Sequence, residues 1–369
     1  MLAGIDTPTL LLDENKCKKN IQKIISKTTD NQLVIRPHFK THQSHQVGRW
    51  FREAGVQQIT VSSLRMATYF AEDGWDDITV AFPANILEID RINTLARKVQ
   101  LHLCIENLDS LDFLEQKLVA PVGLFIKVNA GNNRSGLGLD RLGLIDQMVD
   151  RLRSCNSLQF KGFLGHAGQS YKARSEEAIL AAHQYSLDLM RQLGNRFRST
   201  FPDLILSLGD TPTCSIAHDF DGIDEIRPGN FVYYDVTQSI IGSCNLNEVA
   251  VAMACPVVAK APERNEVVLY GGGVHFSKDR VERADGTTIF GLLADWTDKG
   301  WQAIDEPNTY MRGLSQEHGV LRTTAERVAQ IKIGDLLPIL PVHSCMAADL
   351  MKEVRTLDGE VFSMLQFIK

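Results

Sequence analysis

Eight short runs of apolar and β-branched residues recur between residues 33 and 227, and their even spacing restricts the fold more than any other feature. They are Leu33 to Ile35, Gln58 to Ser62, Asp77 to Phe82, Leu101 to Glu106, Gly123 to Asn129, Leu158 to His166, Asp203 to Leu208 and Ile223 to Arg227. One run arrives roughly every 28 residues, about the length of a strand plus its crossover helix. Eight such units predict an α/β fold, a (β/α)8 TIM barrel. The intervening segments carry helical periodicity. Ser175 to Leu193 places Ile179, Leu180, His183, Leu187 and Met190 on one face, which makes His183 a structural residue.

After Cys244 the pattern changes to short alternating runs such as Glu248 to Ala252 and Glu266 to Leu269, with little helix before the acidic region around Trp296. The expected organisation has three parts. Residues 1–16 contain an apolar run, Thr9 to Leu12, that joins the C-terminal domain as a strand; 17–244 form the barrel; 245–369 form a C-terminal β domain. The net charge of -6 gives no basic excess of the kind that binds nucleic acid. The start of the chain has no basic segment leading into an apolar run, and no apolar stretch reaches the roughly 18 residues of a membrane span, so a cytoplasmic location is expected. Seven scattered cysteines without a C-x-x-C pair fit a reducing compartment and argue against a disulfide framework.

Active sites of such barrels form at the C-terminal ends of the strands, and polar residues are concentrated just after several of the runs. Arg36-Pro37-His38-Phe39-Lys40-Thr41-His42 follows the first, Asn129 to Arg134 the fifth, and His166 to Tyr171 the sixth. Ser207-Leu208-Gly209-Asp210-Thr211 follows the seventh and Arg227-Pro228-Gly229-Asn230 the eighth. Glycine beside small polar residues lets backbone N–H groups approach phosphate oxygens, a use that Ser207, Gly209, Thr211, Gly229 and Asn230 fit. Arg134, His166 and Tyr171 are further candidates for holding a cofactor. Lys40, among Arg36, His38 and His42, has cationic neighbours that favour the neutral, nucleophilic amine a Schiff base requires. Towards the other end, His343 and Cys345 follow the apolar run Leu336 to Leu340; at i and i+2 they would leave an extended chain on one side, as an imidazole and a thiolate suited to zinc.

Together these motifs resemble the D-serine dehydratase and D-threonine aldolase family, pyridoxal phosphate (PLP) enzymes of the alanine racemase-like fold. The resemblance rests on Arg36 to His42 and continues through Asp6-Thr7-Pro8-Thr9, Lys127-Val128-Asn129, Gly165-His166-Ala167-Gly168, Ser207-Leu208-Gly209, Arg227-Pro228-Gly229, Gln316-Glu317-His318-Gly319 and Pro341 to Cys345. It implies that Lys40 carries PLP, that the Ser207 and Gly229 loops hold its phosphate, that His166 lies against the ring, and that Arg227 faces the ring nitrogen. An arginine there disfavours ring protonation, so the leaving group needs its own activation. The resemblance also implies a zinc ion on His343 and Cys345 that binds the substrate β-hydroxyl while Lys40 removes the α-proton, giving a 2-oxo acid and ammonia from a D-β-hydroxy amino acid such as D-serine. A homodimer is implied as well. Cys345 favours dehydration, because aldolase members tend to have aspartate at that place; the alternative is an aldolase yielding glycine and an aldehyde. Gln43 and Met66-Ala67 depart from the family pattern, where lysine and an acidic residue are common. A racemase would need a tyrosine as second base and has no use for the His343 and Cys345 pair, and a non-catalytic PLP carrier would lack the whole C-terminal domain.

Overall fold

The computed structural model describes residues 4–366 apart from 156 and 305. The chain divides into two compact units, one of Lys23–Lys40 with Arg49–Gly229, the other of Met1–Gln22, Thr41–Gly48 and Asn230–Lys369.

The first unit is the barrel. After strand β1 (Thr9–Leu12) of the other unit, its strands are β2 (Val34–Ile35), β3 (Ile59–Val61), β4 (Asp77–Pro83), β5 (Gln100–Ile105), β6 (Val122–Val128), β7 (Leu158–Gly165), β8 (Ile205–Leu208) and β9 (Glu225–Ile226). All eight are parallel, in the order β2-β9-β8-β7-β6-β5-β4-β3. The ring is completed beyond the end of β2, where His38 bridges Thr60 and the N–H groups of Phe39 and Thr60 donate to the carbonyls of Thr60 and Pro37, each at 2.9 Å. Parallel strands covered on both faces read as continuous apolar runs, and β6 is buried at every residue. Gly162 is required where β7 and β8 approach: its φ is +135°, and a Cβ there would stand 2.0 Å from the Ile205 carbonyl oxygen. The long helix Glu176–Phe197 buries Ile179, His183, Leu187 and Met190. Leu180, expected on the same face, is exposed, because the buried stripe is narrower than the apolar one. His183 donates from Nε2 to the Asp219 carbonyl at 2.6 Å, a structural bond.

In the second unit, β1 lies between β10 (Val251–Ala261), with which it pairs antiparallel from Thr9 opposite Ala254 to Leu12 opposite Val251, and the strand Glu353–Thr356, with which it pairs parallel. Leu10, Leu11 and Leu12 are buried, each contributing about 2 kcal/mol by leaving water. The Trp296 region is a strand, Gly291–Thr297, paired with Gly300–Ala303; the unit's helices after Cys244 include the short Gly273–Phe276 before it and Ala325–Gln330 and Ser344–Met351 after it.

Candidate active site

The loop after β2 is anchored by Phe39, whose ring is buried against Phe51, Phe70 and Trp75 at centroid distances of 5.1, 4.9 and 5.1 Å. With Phe39 fixed inward, the next residue, Lys40, is exposed, and its N–H donates to His38 Nδ1 at 3.3 Å. The cationic company expected around Lys40 is different in kind. Arg36 is buried and spends its guanidinium on Glu225 (Nε to Oε2, 2.6 Å) and Asp77 (Nη1 to Oδ1, 2.5 Å). The charges of Lys40, Arg227 and Arg134 instead act together on His166.

His166, just past β7, donates from Nδ1 to the Gly209 carbonyl at 2.7 Å. A carbonyl only accepts, so Nδ1 carries the proton. Burial first, then the nearby cations, push the imidazole down to about 3, which keeps it neutral. Tyr171 lies 6.1 Å from it, ring to ring, and its hydroxyl accepts from the Thr211 N–H at 3.3 Å. The Thr211 hydroxyl is buried and has no partner among the described residues. Beyond β9, Arg227 is buried; its Nε donates to Ser207 Oγ at 2.7 Å, and its Nη2 donates to the carbonyls of Gly165 and, at 3.2 Å, Ser207. Nη1 makes no hydrogen bond among the described residues. A buried hydroxyl lacking a partner, and a buried arginine whose Nη1 edge reaches solvent without a hydrogen bond, are a fit for a phosphate and for a ring nitrogen acceptor.

A second cluster lies in the other unit. His343 caps the helix Ser344–Met351 and Cys345 stands in its first turn. His343 donates from Nδ1 to Asp279 Oδ2 at 2.7 Å. Burial would lower this imidazole, but the Cys345 sulfur, Asp235 and Asp279 outweigh it and raise it to about 10. The Cys345 sulfur lies 3.2 Å from Thr41 Oγ1 and accepts from Asn230 Nδ2 at 3.4 Å. Asp235, buried, accepts from Asn230 Nδ2 at 2.8 Å and the Ser344 N–H at 3.0 Å, fixing the turn that carries both ligand candidates. An imidazole oriented by a carboxylate beside a sulfur held between a hydroxyl and an amide N–H is the chemistry of a soft-metal site. Among the described residues no three His, Cys, Asp or Glu side chains converge as ligands, so a metal here would complete its shell from substrate or water.

A family model described as "Alanine racemase, N-terminal domain" matches residues 12–236. The chain belongs to this family. A second model, "Putative serine dehydratase domain", matches residues 250–357. Within this family the chain is 27% identical to D-threo-3-hydroxyaspartate dehydratase of Delftia sp. (strain HT23), covering 93% of this chain and 92% of the relative. It is 25% identical to D-serine dehydratase of Dictyostelium discoideum, covering 97% and 94%. The solved structure of the Delftia enzyme superposes with a TM-score of 0.91 at 25% identity, covering 100% and 99%, and a cysteine-to-alanine variant of D-threo-3-hydroxyaspartate dehydratase is described as metal-free. D-threonine aldolases also match.

Against this alanine racemase-like frame, the expected residues fall into two groups. Lys40, Arg134, His166, Tyr171, Ser207, Gly209, Thr211, Arg227 and Gly229 belong to the barrel unit; Asn230, His343 and Cys345 belong to the other. The Ser207 hydroxyl is committed to Glu225 and Arg227, because strand alternation turns it into the barrel. The Asn230 amide nitrogen is spent on Asp235, Ser344 and Cys345. His343 and Cys345 come together through a strand-to-helix turn, and not along an extended chain, since Ser344 begins a helix. Sequence reasoning missed Thr41, Glu225, Asp235 and Asp279 as supporting groups. Glu225 had a signal, standing two residues before Arg227 and so on the same face of a strand; Asp279, 64 residues from its partner, had none.

Proposed function

We propose that the protein is a PLP-dependent lyase that dehydrates a D-β-hydroxy amino acid to a 2-oxo acid and ammonia, with Lys40 carrying the cofactor and His343 and Cys345 holding zinc. The observation that carries this is the Nη1 edge of the buried Arg227, which makes no hydrogen bond among the described residues, beside a neutral His166, in a chain whose relatives are named as dehydratases of D-serine and D-threo-3-hydroxyaspartate.

PLP supplies an electron sink at the substrate α-carbon. Zinc supplies a Lewis acid for the β-hydroxyl. The exposed Lys40 amine takes the α-proton, and its loop is held in register by the buried Phe39. His166 presents an uncharged ring face, since its Nδ1 proton is fixed on Gly209. Thr211, with Gly209 and Gly229, holds the phosphate, and Arg227 donates to the ring nitrogen without protonating it. For D-serine the products are pyruvate and ammonia, the water lost across Cα and Cβ being returned when the nitrogen leaves. The same reading includes a homodimer and a cytoplasmic location; no helix among the described residues is long and apolar enough to cross a membrane.

The test is to incubate the protein with PLP, zinc and a panel of D-serine, D-threo-3-hydroxyaspartate and D-threonine, assaying 2-oxo acid and glycine in the same samples. A 2-oxo acid that disappears on chelation and returns with zinc is expected. Glycine with an aldehyde would move the protein to the aldolase reading, which the matching D-threonine aldolases keep in view.

A further inference from the structure

A chain of polar groups, buried except for the half-buried Asp77, runs through the barrel behind Arg227. The Ser207 hydroxyl has one proton and meets Glu225 Oε1 at 2.5 Å. A carboxylate only accepts, so the proton points to Glu225, and the oxygen lone pairs are left to accept from Arg227 Nε at 2.7 Å. The direction is therefore forced, Arg227 donating to Ser207 and Ser207 to Glu225. The other oxygen of Glu225 is held by Arg36 Nε at 2.6 Å. Arg36 is braced in turn by Asp77, which accepts from His102 Nε2 at 3.1 Å. Burial works against the charge of Asp77, yet the bonds from His102 and Arg36 outweigh it and keep it below the usual carboxylate range.

Glu225 and Arg227 are two residues apart on one face of β9 and its extension, and both are almost fully buried. A guanidinium and a carboxylate so placed would ordinarily close into a direct two-pronged pair. Here the hydroxyl of Ser207 stands between them, and Arg227 turns Nε and Nη2 into the network while Nη1 stays out of it.

We propose that Ser207 and Glu225 are positioning residues for Arg227: the hydroxyl keeps the carboxylate one step from the guanidinium, and this holds the Nη1 edge available to the cofactor ring nitrogen. The proposal rests on the reading that Arg227 faces that nitrogen. It gives Ser207 a role distinct from the phosphate contact that its place in the sequence suggests.

The test loads the wild type and the variants Ser207→Ala, Ser207→Cys and Arg227→Gln with PLP carrying 15N in the ring, reads the ring resonance by NMR, and titrates PLP affinity through the visible band. In Ser207→Ala the guanidinium is expected to collapse onto Glu225, the resonance to move towards that of unprotonated pyridine without a hydrogen bond, and the Kd to rise about tenfold. Ser207→Cys, a weaker acceptor of similar shape, is expected to move it the same way by less. Adding Glu225→Gln to Ser207→Ala removes the charge that captures Arg227 and is expected to restore part of the wild-type resonance. If Arg227→Gln moves the resonance while both Ser207 variants leave it in place, the positioning role is overturned and the reading of Arg227 stands. If Arg227→Gln leaves the resonance unmoved, the reading of Arg227 fails and takes the inference with it.

Discussion

The hydroxyl of Thr41 lies 3.2 Å from the sulfur of Cys345, across 304 residues of chain. With Asn230 Nδ2 at 3.4 Å it gives the sulfur two polar neighbours that orient it. Removing an outer partner of a metal ligand typically costs tenfold or more in affinity. Thr41→Val, which keeps the shape and loses the hydroxyl, is therefore expected to weaken zinc binding about tenfold in competition with a chromogenic chelator, and Thr41→Ser to retain it. Equal affinity in the valine variant would remove Thr41 from the site.

The barrel was legible because its strands are buried on both faces. All eight apolar runs contain a strand, with ends displaced by a residue or two, as at β4, which extends to Pro83. What local pattern could not show is which partner each polar residue meets. Ser207 reads as a phosphate contact at the end of the seventh run, ahead of Gly209, yet it is the third residue of a four-residue strand and its hydroxyl meets Glu225. His343 and Cys345 were found from their spacing, but Asp279, which orients the imidazole, reaches it from a distant loop. Arg36 looked like part of a cationic loop, and the two carboxylates that absorb its charge stand 41 and 189 residues away.

That compensation has a measurable cost when broken. Arg36 is buried between Glu225 and Asp77, so Arg36→Met leaves at least one carboxylate without its counter-ion in a poorly solvated interior. A loss of about 3 kcal/mol is expected from urea unfolding of the metal-free, cofactor-free protein. The triple variant with Glu225→Gln and Asp77→Asn is expected to recover part of it. A single variant as stable as the wild type would mean that water reaches these groups.

His42 gives the protein an acid-sensitive element. It is fully buried, and the Ser44 N–H donates to its Nδ1 at 3.2 Å. Burial first, and the neighbouring His45, lower the imidazole from 6.5 to about 3. The unfolded chain therefore binds the extra proton between these values. The resulting stability is fully present above pH 6.5 and is lost as pH falls from there towards 3, at about 1.4 kcal/mol per unit. Between pH 7 and pH 5 the wild type is expected to lose about 2 kcal/mol more than His42→Asn, whose amide oxygen can take the Ser44 bond. Parallel losses in urea titrations at the two pH values would show that His42 is protonated in the fold.

Gly209 lies where β8 ends and the chain passes close to Arg227. A Cβ on Gly209 would stand 2.4 Å from the Arg227 backbone nitrogen, which donates to the Leu208 carbonyl at 3.1 Å. Backbone cannot swing aside as a long side chain does, so Gly209→Ala has to part the ends of β8 and β9. That displacement moves the Gly209 carbonyl from His166 and the Arg227 guanidinium from Ser207 together. The expected result is a PLP Kd raised at least tenfold and a lower Tm. Gly143→Ala is the control: it is exposed in the helix Leu142–Arg153, has nothing within 4 Å of an added Cβ, and gains helix propensity. It is expected to leave the Kd unchanged and to hold or raise the Tm. Indistinguishable Kd values in the two variants would mean that the strand ends can part without disturbing the groups they carry.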